Sequence, residues 1–252
     1  VGFGKTEVAL RAAFKAVQDG KQVAVLVPTT VLAQQHHSTF RRRLAPFPVK
    51  IDMLSRFRTA AEKKRVIERM GAGELDIVIG THGLIADRAQ FKDLGLLVID
   101  EEQRFGLSAK EKLKQLKVGV DVLTMTATPI PRTLHMGLSG VREISLIETP
   151  PAERLPIISY VGAFEDAILQ QAIQRELDRD GQVFVVHNRI STLPLLAQKV
   201  HRLVPEASIS TAHGQMHDKE LSRIMQTFSD GGTNILVSTN IIESGLDIPN
   251  AN

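Results

Sequence analysis

The first residues of the chain have the spacing of a loop that binds phosphate. They read Val-Gly-Phe-Gly-Lys-Thr, the second half of the pattern G-x-x-x-x-G-K-[ST]. Glycines allow backbone N–H groups to close around phosphates, and the N-terminus of the following helix favours negative charge. We therefore expect Gly2 and Gly4 to surround phosphates, Lys5 to reach the β- and γ-phosphates, and the Thr6 hydroxyl to bind Mg²⁺. The first glycine of the pattern is expected upstream of Val1, and a chance tripeptide is the alternative.

An apolar run that ends in carboxylates supplies the other half of a nucleotide site. Residues 96–99 are apolar and lead into Asp100, Glu101 and Glu102. A buried parallel strand delivers such residues to the carboxyl edge of its sheet, where ligands bind. Asp100 then suits the Mg²⁺ shell, Glu101 suits orienting and deprotonating the attacking water, and Glu102 is interpreted as a bystander. A solvated acidic turn is the alternative, but the apolar run and the order of the two motifs favour hydrolysis of a nucleoside triphosphate.

These motifs lie in a chain that alternates short β-branched runs with amphipathic stretches, which predicts an α/β fold with a parallel sheet. In the first half, strands are expected at 22–27, 49–53, 76–79, 96–99 and 122–125, and helices at 6–18, 31–43 and 60–70. Gly20 stands where a glycine ends a helix. Thr59 and Glu62 have the spacing of a capping box.

A proline-rich segment divides the chain. Because three prolines within seven residues cannot continue a helix or a central strand, residues 149–156 are interpreted as a linker. It would join a first domain, 1–148, to a second domain, 157–252. In the second domain the alternation restarts, with strands expected at 157–161, 183–186, 208–211 and 235–238. No short-period repeat is visible.

The composition bounds the function only loosely. The chain has 43% hydrophobic and 23% charged residues, a net charge of +3, and no cysteine, which excludes disulfides and cysteine metal sites. No apolar run approaches the ~20 residues that span a bilayer, so no membrane partner is expected. The single tyrosine, Tyr160, and the absence of tryptophan argue against a broad aromatic platform for single strands.

Several segments resemble the motifs of superfamily 2 helicases. In chain order they are PTTVLAQQH at 28–36, GTHG at 80–83, DEEQ at 100–103, TATP at 126–129, HNR at 187–189, AHGQM at 212–216 and STNIIESGLD at 238–247. The resemblance covers essentially the whole chain. It implies two RecA-like P-loop NTPase domains with mainly parallel sheets, with ATP and Mg²⁺ as cofactors and nucleic acid as the substrate.

The resemblance also assigns roles to further residues. It adds Glu7, Gly245 and Asp247 to the nucleotide site, and it gives Gln103, Thr126 and Thr128 a part in catalysis and in its coupling to the second domain. The residues implied in nucleic-acid binding are Pro28, Thr29, Thr30, Gly80, Thr81, His82, Asn188, Arg189, His213 and Thr239. The threonines among them are short hydroxyl side chains at strand–helix junctions, where they can hold phosphates without reading bases. Helix capping by Thr126 and Thr128, and structural roles for His82 and His213, stay open as alternatives.

The resemblance narrows to the bacterial transcription-repair coupling factors. It rests on GFGKTEVA at 2–9, RFG at 104–106, TPIPRTL at 128–134, TPP at 149–151 and DIPN at 247–250. This family implies translocation on double-stranded DNA in the bacterial cytoplasm, displacement of stalled RNA polymerase, and recruitment of excision-repair proteins through modules outside this chain. It also implies an adenine pocket upstream and motif VI arginines beyond Asn252, so the isolated chain is expected to be slow or inactive.

Two other functions remain open. The fork-remodelling helicase RecG is a near relative that shares ATPIPRT at 127–133, although the GFGKTE loop and the double glutamate favour the coupling factors. A passive nucleic-acid-binding module whose ATP site does not turn over belongs to another class.

The remaining charged residues are interpreted mainly as surface. His36 and His37 are expected on an exposed helix face, and the basic runs 41–43 and 63–65, with Lys110, Lys114 and Lys117, as solvated helix faces. Arg56 and Arg58 flank Phe57 after a strand, where phosphate contact and a plain loop are equally open.

Overall fold

The computed structural model describes residues 2–86, 89–106, 109, 112, 119–127, 144–151, 158–240, 248 and 250–252. The chain divides into two compact units, Val1–Arg154 and Leu155–Asn252. None of the described helices is long and apolar enough to cross a membrane.

The first unit is a parallel sheet with helices on both faces. Its elements are α1 (Lys5–Gln18), β1 (Gln22–Leu26), α2 (Thr30–Leu44), β2 (Ile51–Leu54), α3 (Ala60–Ala72), β3 (Ile77–Gly80), β4 (Leu94–Asp100) and β5 (Asp121–Met125). The strand order among the described residues is β2-β3-β1-β4-β5, and every pairing is parallel. The predicted α/β fold and parallel sheet are confirmed, with element bounds that move by at most two residues.

The core of this unit lies on both faces of the sheet, which is why its central strands are apolar throughout. On one face, α1 and α2 bury Ala13 and Phe40 against Val23 and Val98. On the other face, Val66 and Met70 of α3 pack with Leu26, Val78 and Ile99 in a second cluster. The central strands β1, β3 and β4 are thereby largely shielded from water, whereas most residues of β5 are exposed.

Two local predictions are confirmed by the helix ends. Thr59 Oγ1 accepts from the backbone N–H of Glu62 at 3.3 Å, and the Glu62 carboxylate accepts from the N–H of Thr59 at 2.7 Å, a complete capping box that begins α3. Gly20 follows the end of α1 with φ of 76°, a left-handed conformation that glycine adopts without strain.

The second unit repeats the α/β pattern on a smaller scale. Its elements are α4 (Asp166–Leu177), β6 (Val183–Val186), α5 (Leu193–Leu203), β7 (Ile209–Ala212), α6 (Asp218–Ser229) and β8 (Ile235–Ser238). The strands are parallel in the order β6-β8-β7, and Gln182 also bridges to Ala251. Ile173, Val200 and Val237 belong to its apolar core.

One expected strand is absent. Residues 158–161 form no strand, and the side chains of Ile158 and Val161 are 86% and 96% exposed. Their β-branched and aromatic types favour a strand, but β propensity reports packing on a sheet, and this segment has no neighbouring strand in the described part of the unit.

Candidate functional site

The carboxyl edge of the first sheet collects most of the predicted site residues. Because α1 leads through a short turn into the start of β1, the N-terminus of α1 with Lys5 and Thr6 lies at the opposite, carboxyl edge of the sheet. Asp100 ends β4 at that same edge, and β4 lies beside β1 with Ile99 opposite Leu26. The two halves of the predicted nucleotide site therefore share one edge of the sheet.

The phosphate loop has the backbone that its glycines predict. Gly2 and Gly4 have φ of 76° and 85°, in the left-handed region where a side chain would be strained. Gly4 is the N-cap of α1, and its carbonyl oxygen accepts from the N–H groups of Glu7 and Val8 at 3.0 and 3.3 Å. Lys5 and Thr6 are half-buried on the first turn of α1, which is a suitable site for anionic phosphate.

Glu7 takes part in ion pairs. Its carboxylate accepts from Arg43 Nη2 at 2.7 Å and from Arg11 Nε at 3.0 Å, which ties α1 to α2. The hydrogen bond from Arg43 is the main cause that lowers the pKa of Glu7 below its ordinary value. A contact between Glu7 and nucleotide stays a prediction.

Asp100 is buried and held by a histidine. Its side chain is 8% exposed, and Oδ2 lies 3.2 Å from Nε2 of His36, whose side chain is 5% exposed. His37 is also buried, and burial lowers the pKa of its imidazole. The expectation that both histidines are surface residues is therefore wrong. The signal was in the sequence, because His36 lies four residues from Leu32 and from Phe40, on the apolar face of α2.

Glu101 is the most constrained acid of the site. It is 1% exposed and has φ of 54°, an unusual left-handed conformation for a residue with a side chain. Oε1 accepts from the N–H of Ala127 at 2.8 Å, and Oε2 accepts from the Thr126 hydroxyl at 3.1 Å and from the amide of Gln103. A carboxylate has about four lone-pair sites, so these three donors leave room for one water.

Gln103 and Thr126 are brought together by this carboxylate. Gln103 Nε2 also donates to Thr126 Oγ1 at 3.1 Å, which closes a small network around Glu101. The two residues predicted to take part in catalysis and its coupling thus contact the predicted base directly.

Thr6 and Asp100 suit a magnesium ion that takes its remaining ligands from phosphates and waters. Thr6 and Asp100 offer oxygen donors, the ligands that Mg²⁺ prefers, and Mg²⁺ is usually held by one or two protein groups together with substrate phosphates and waters. In the part of the chain that the structure describes, no group of three or more His, Cys, Asp or Glu side chains is arranged around a metal position. The oxygen donors of Thr6 and Asp100 fit an Mg²⁺ ion that is bound together with the phosphates of a nucleotide.

The predicted nucleic-acid residues of the first unit follow β1 and β3. After β1 come Pro28 and Thr29, and Thr29 Oγ1 accepts from the N–H of Leu32 at 3.3 Å as the N-cap of α2. Thr30 and Thr81 are buried. Gly80 allows close packing, because a Cβ there would lie 2.3 Å from the carbonyl oxygen of Leu54.

A small basic cavity opens at the same edge. Its volume is about 80 Å³, and its lining includes Ser55, Arg56, Lys63, Thr81, His82 and Gly83. The hydroxyl of Ser55 is buried and has no hydrogen-bond partner among the described residues. Arg58, two residues further along the chain, forms ion pairs with Asp52 at 3.0 Å and Glu62 at 3.2 Å. Ser55 was not predicted as a site residue, and only the fold reveals it.

In the second unit the predicted residues follow the ends of all three strands. Asn188 and Arg189 come after β6 and are exposed, His213 follows β7, and Thr239 follows β8. The N–H of Thr239 donates to the carbonyl of Ala212 at 3.1 Å, and the buried Nδ1 of His213 has no partner among the described residues. Thr128, Gly245 and Asp247, together with Lys110, Lys114 and Lys117, lie outside the described residues.

Comparison with known proteins identifies the two halves of the chain. Residues 1–136 match the DEAD/DEAH box helicase family, and residues 165–252 match the helicase conserved C-terminal domain. Over all 252 residues the chain is 55% identical to the transcription-repair-coupling factor of Bacillus subtilis (strain 168) and 58% identical to that of Mycobacterium bovis. It covers 21% and 20% of those two proteins, so it spans about a fifth of their length.

Solved structures agree with this result. The chain aligns over 100% of its length with RecG bound to a three-way DNA junction, at a TM-score of 0.69 and 32% identity, and covers 34% of that chain. Saccharomyces cerevisiae Dbp5 bound to RNA and ADP BeF3 shares the fold at a TM-score of 0.73 and 18% identity, with 100% of this chain and 66% of that one covered. The chain belongs to the DEAD/DEAH box helicase family, with two RecA-like domains, and its predicted resemblance to the transcription-repair coupling factors is confirmed.

Proposed function

We propose that this chain is the motor part of an enzyme that hydrolyses ATP to move along double-stranded DNA. The observation that carries the proposal is the buried Glu101, held by three donors next to the metal-binding candidate Asp100. A buried carboxylate with one lone-pair site to spare is suited to orient a water and to accept its proton. Lys5 and Thr6, on the same edge of the sheet, would hold the phosphates and the Mg²⁺.

In this mechanism the residues of the chain hold and orient the phosphates and the attacking water. They form no covalent bond with the substrate. Bound Mg²⁺ would draw charge from the phosphate oxygens. The backbone N–H groups of the Gly4 loop and the Lys5 ammonium would hold the β- and γ-phosphates. Glu101 would receive a proton from the attacking water, while Thr126 and Gln103 keep its carboxylate in one orientation.

The DNA assignment is supported by the basic cavity at the same carboxyl edge of the sheet. Arg56 and Lys63 give it positive charge, and the Ser55 hydroxyl and Thr81 offer hydrogen-bond donors of the kind that hold phosphate oxygens. Such contacts carry no base information, which suits a motor that must pass over any sequence. We further propose that the whole protein displaces stalled RNA polymerase and recruits excision-repair proteins in the bacterial cytoplasm, as the names of its relatives suggest.

A second candidate is remodelling of branched DNA. It is favoured by the 32% identity to RecG, whose structure holds a three-way DNA junction. The higher identity to the coupling factors supports the first candidate. The two differ in substrate, because a fork enzyme should be stimulated more by a three-way junction than by linear duplex.

The test is ATP hydrolysis by a full-length protein carrying these residues, with no DNA, with linear duplex and with a three-way junction. We expect strong stimulation by linear duplex, and a loss of about 10²–10⁴-fold in hydrolysis for Glu101→Gln, the range of a general base. Glu102→Gln is the matched control. Its carboxylate accepts from the Thr124 hydroxyl at 3.4 Å, and Glu102 is interpreted as a bystander of the reaction, so hydrolysis should stay near the unsubstituted rate.

Hydrolysis that ignores every form of DNA would refute the DNA motor. An absence of hydrolysis together with tight DNA binding would favour a passive binding module. Preference for the junction would favour the RecG-like function.

A further inference from the structure

We propose that His36 is a positioning residue that orients Asp100 for nucleotide-bound Mg²⁺, an inference that rests on the proposed function. Nothing in the helicase motif resemblance assigns a role to this imidazole. It lies on α2, 64 residues before Asp100 in sequence, and its Nε2 reaches Oδ2 of Asp100 at 3.2 Å.

The chemistry of the pair fixes the direction of the hydrogen bond. An ionised carboxylate is only an acceptor, so Nε2 of His36 must carry the proton and donate it. Both side chains are nearly out of water, at 5% and 8% exposed, where a misoriented or unpaired carboxylate is costly. The donated hydrogen bond therefore holds Oδ2 and leaves Oδ1 of Asp100 for the shell of the cation.

Two features set the position of the imidazole: the neighbouring ring of Phe40 and the helix that carries His36. The ring of His36 lies 6.4 Å from the ring of Phe40, which is completely buried, at an interplanar angle of 55°. The helix that carries it begins at the Thr29 cap, directly after β1, and β1 is hydrogen-bonded to the strand that ends in Asp100. α2 thus fixes the imidazole relative to β4, which is the arrangement of a group that orients a metal ligand.

His37 shows that the contact belongs to one position of the helix. It is buried like His36, and it is the next residue on the same helix. The charged groups that act on it are Arg41, Asp52 and Arg58, not Asp100. Burial alone therefore does not distinguish the two histidines, and the bond to Asp100 does.

The experiment measures nucleotide binding rather than turnover. Binding of a fluorescent N-methylanthraniloyl ADP to the full-length protein is titrated with Mg²⁺ and repeated in EDTA. The variants are His36→Leu, which removes the donor, His36→Asn, which keeps an N–H donor, and His37→Leu, the control for loss of a buried imidazole. Thermal unfolding of each variant reports on folding.

We expect His36→Leu to raise the Mg²⁺ concentration for half-maximal binding by about 10–100-fold, the range for groups that orient a metal ligand. Its affinity in EDTA should stay unchanged, because the phosphate loop does not use His36. His36→Asn should recover most of the loss. His37→Leu should lower the unfolding temperature about as much as His36→Leu while leaving the Mg²⁺ dependence unchanged.

Two results would overturn the His36 proposal while leaving the proposed function intact. Equal Mg²⁺ dependence for His36→Leu and His37→Leu would show that the imidazole only fills space. A loss of affinity in EDTA equal to the loss in Mg²⁺ would show a general distortion of the site. An unsubstituted protein that binds no nucleotide under either condition would instead refute the proposed function, and the His36 proposal with it.

Discussion

The two units of the chain share a set of hydrogen bonds at the amino edge of their sheets. In the first unit the buried Gln22 donates to the carbonyls of Met70 and Leu75 at 3.0 and 2.8 Å. In the second unit Gln182 donates to the carbonyls of Phe228 and Thr233 at 2.6 and 2.7 Å. Each glutamine stands at the start of the first core strand, and each bonds to the end of the helix and the turn that precede a neighbouring strand.

The two units also correspond at the polar residue directly before β3 and β8. Asp76 Oδ2 accepts from the N–H of Lys50 at 2.7 Å, and Asn234 Oδ1 accepts from the N–H of Ser208 at 3.0 Å. In both units these residues stand before the paired strands, β2 with β3 and β7 with β8. The two units therefore share one framework of hydrogen bonds, although no short-period repeat is visible in the sequence.

The two units differ in the buried carboxylates at the carboxyl edge of their sheets. In the first unit this edge holds the buried acids Asp100 and Glu101 with their donors. In the described part of the second unit the buried carboxylate is Glu176, which pairs with Arg179 and Asn252 near the end of α4. The same framework thus supports both units, whereas the carboxyl edge of the first sheet also carries two buried carboxylates, Asp100 and Glu101.

The largest expected effect comes from removing the shared glutamines. Gln22→Leu removes the side-chain donor to the carbonyl of Leu75 and one of two donors to the carbonyl of Met70, which also accepts from the N–H of Gly73 at 3.1 Å. It also takes the acceptor Gln22 Oε1 away from the N–H groups of Lys92 and Asp93. We expect a loss of about 4 kcal/mol in the local opening free energy of β1, and about 2 kcal/mol in β6 for Gln182→Leu. Hydrogen exchange of the strand amides measures both.

The exposed Gln226→Leu is the control for this pair and should change the opening free energy by less than about 0.5 kcal/mol. Equal losses for the two buried glutamines would contradict the expected difference, because the bonds from Lys92 and Asp93 would then contribute nothing.

A smaller effect on stability and DNA affinity should distinguish Ser55, at the carboxyl edge of the first sheet, from Ser208, at the amino edge of the second sheet. Ser55→Ala removes a buried hydroxyl that has no hydrogen-bond partner among the described residues, so the stability should stay the same or rise. The affinity for duplex DNA should fall about fivefold, or about 1 kcal/mol. Ser208→Ala is the matched control, because its hydroxyl bonds to Asn234 Oδ1 at 2.8 Å. It should lose about 1 kcal/mol of stability with DNA affinity unchanged.

Fluorescence anisotropy of a labelled duplex measures the affinity, and urea unfolding measures the stability. If Ser55→Ala destabilises the protein and leaves DNA binding intact, the hydroxyl is a structural group and the two edges do not differ in the expected way.

The smallest effect is a pH dependence confined to the first unit. Burial, and next the charge of Arg41, lower the pKa of His37 below its ordinary 6.5. As the pH falls below 6.5, the unfolded chain therefore binds a proton before the folded chain does, and stability decreases until the lowered pKa is reached. We expect a loss below about 1 kcal/mol between pH 7 and pH 5.5, measured by hydrogen exchange in α2.

His37→Gln should remove this pH-dependent part of the stability. A slope that persists unchanged in His37→Gln would assign the effect to another group.

Much of the molecule was predictable from local patterns. The capping box at Thr59 and the glycine after α1 depend on residues within one or two helical turns, so their spacing in sequence is sufficient. The apolar runs of β1, β3 and β4 also appear as expected, since strands buried on both faces need apolar residues throughout. The strand expected at 157–161 is wrong in its described residues, 158–161, because a strand needs a partner that propensity does not supply.

By itself, the sequence determined the alternation of strands and helices, the phosphate loop and the acidic strand end, because these are set by neighbours along the chain. Only the tertiary structure decided that His36 holds Asp100, that Thr126 and Gln103 hold Glu101, and that Ser55 opens into a basic cavity. The bonds of His36 and Thr126 span 64 and 25 residues. They form because a parallel sheet brings the ends of distant strands to one edge, a relation that sequence spacing does not encode.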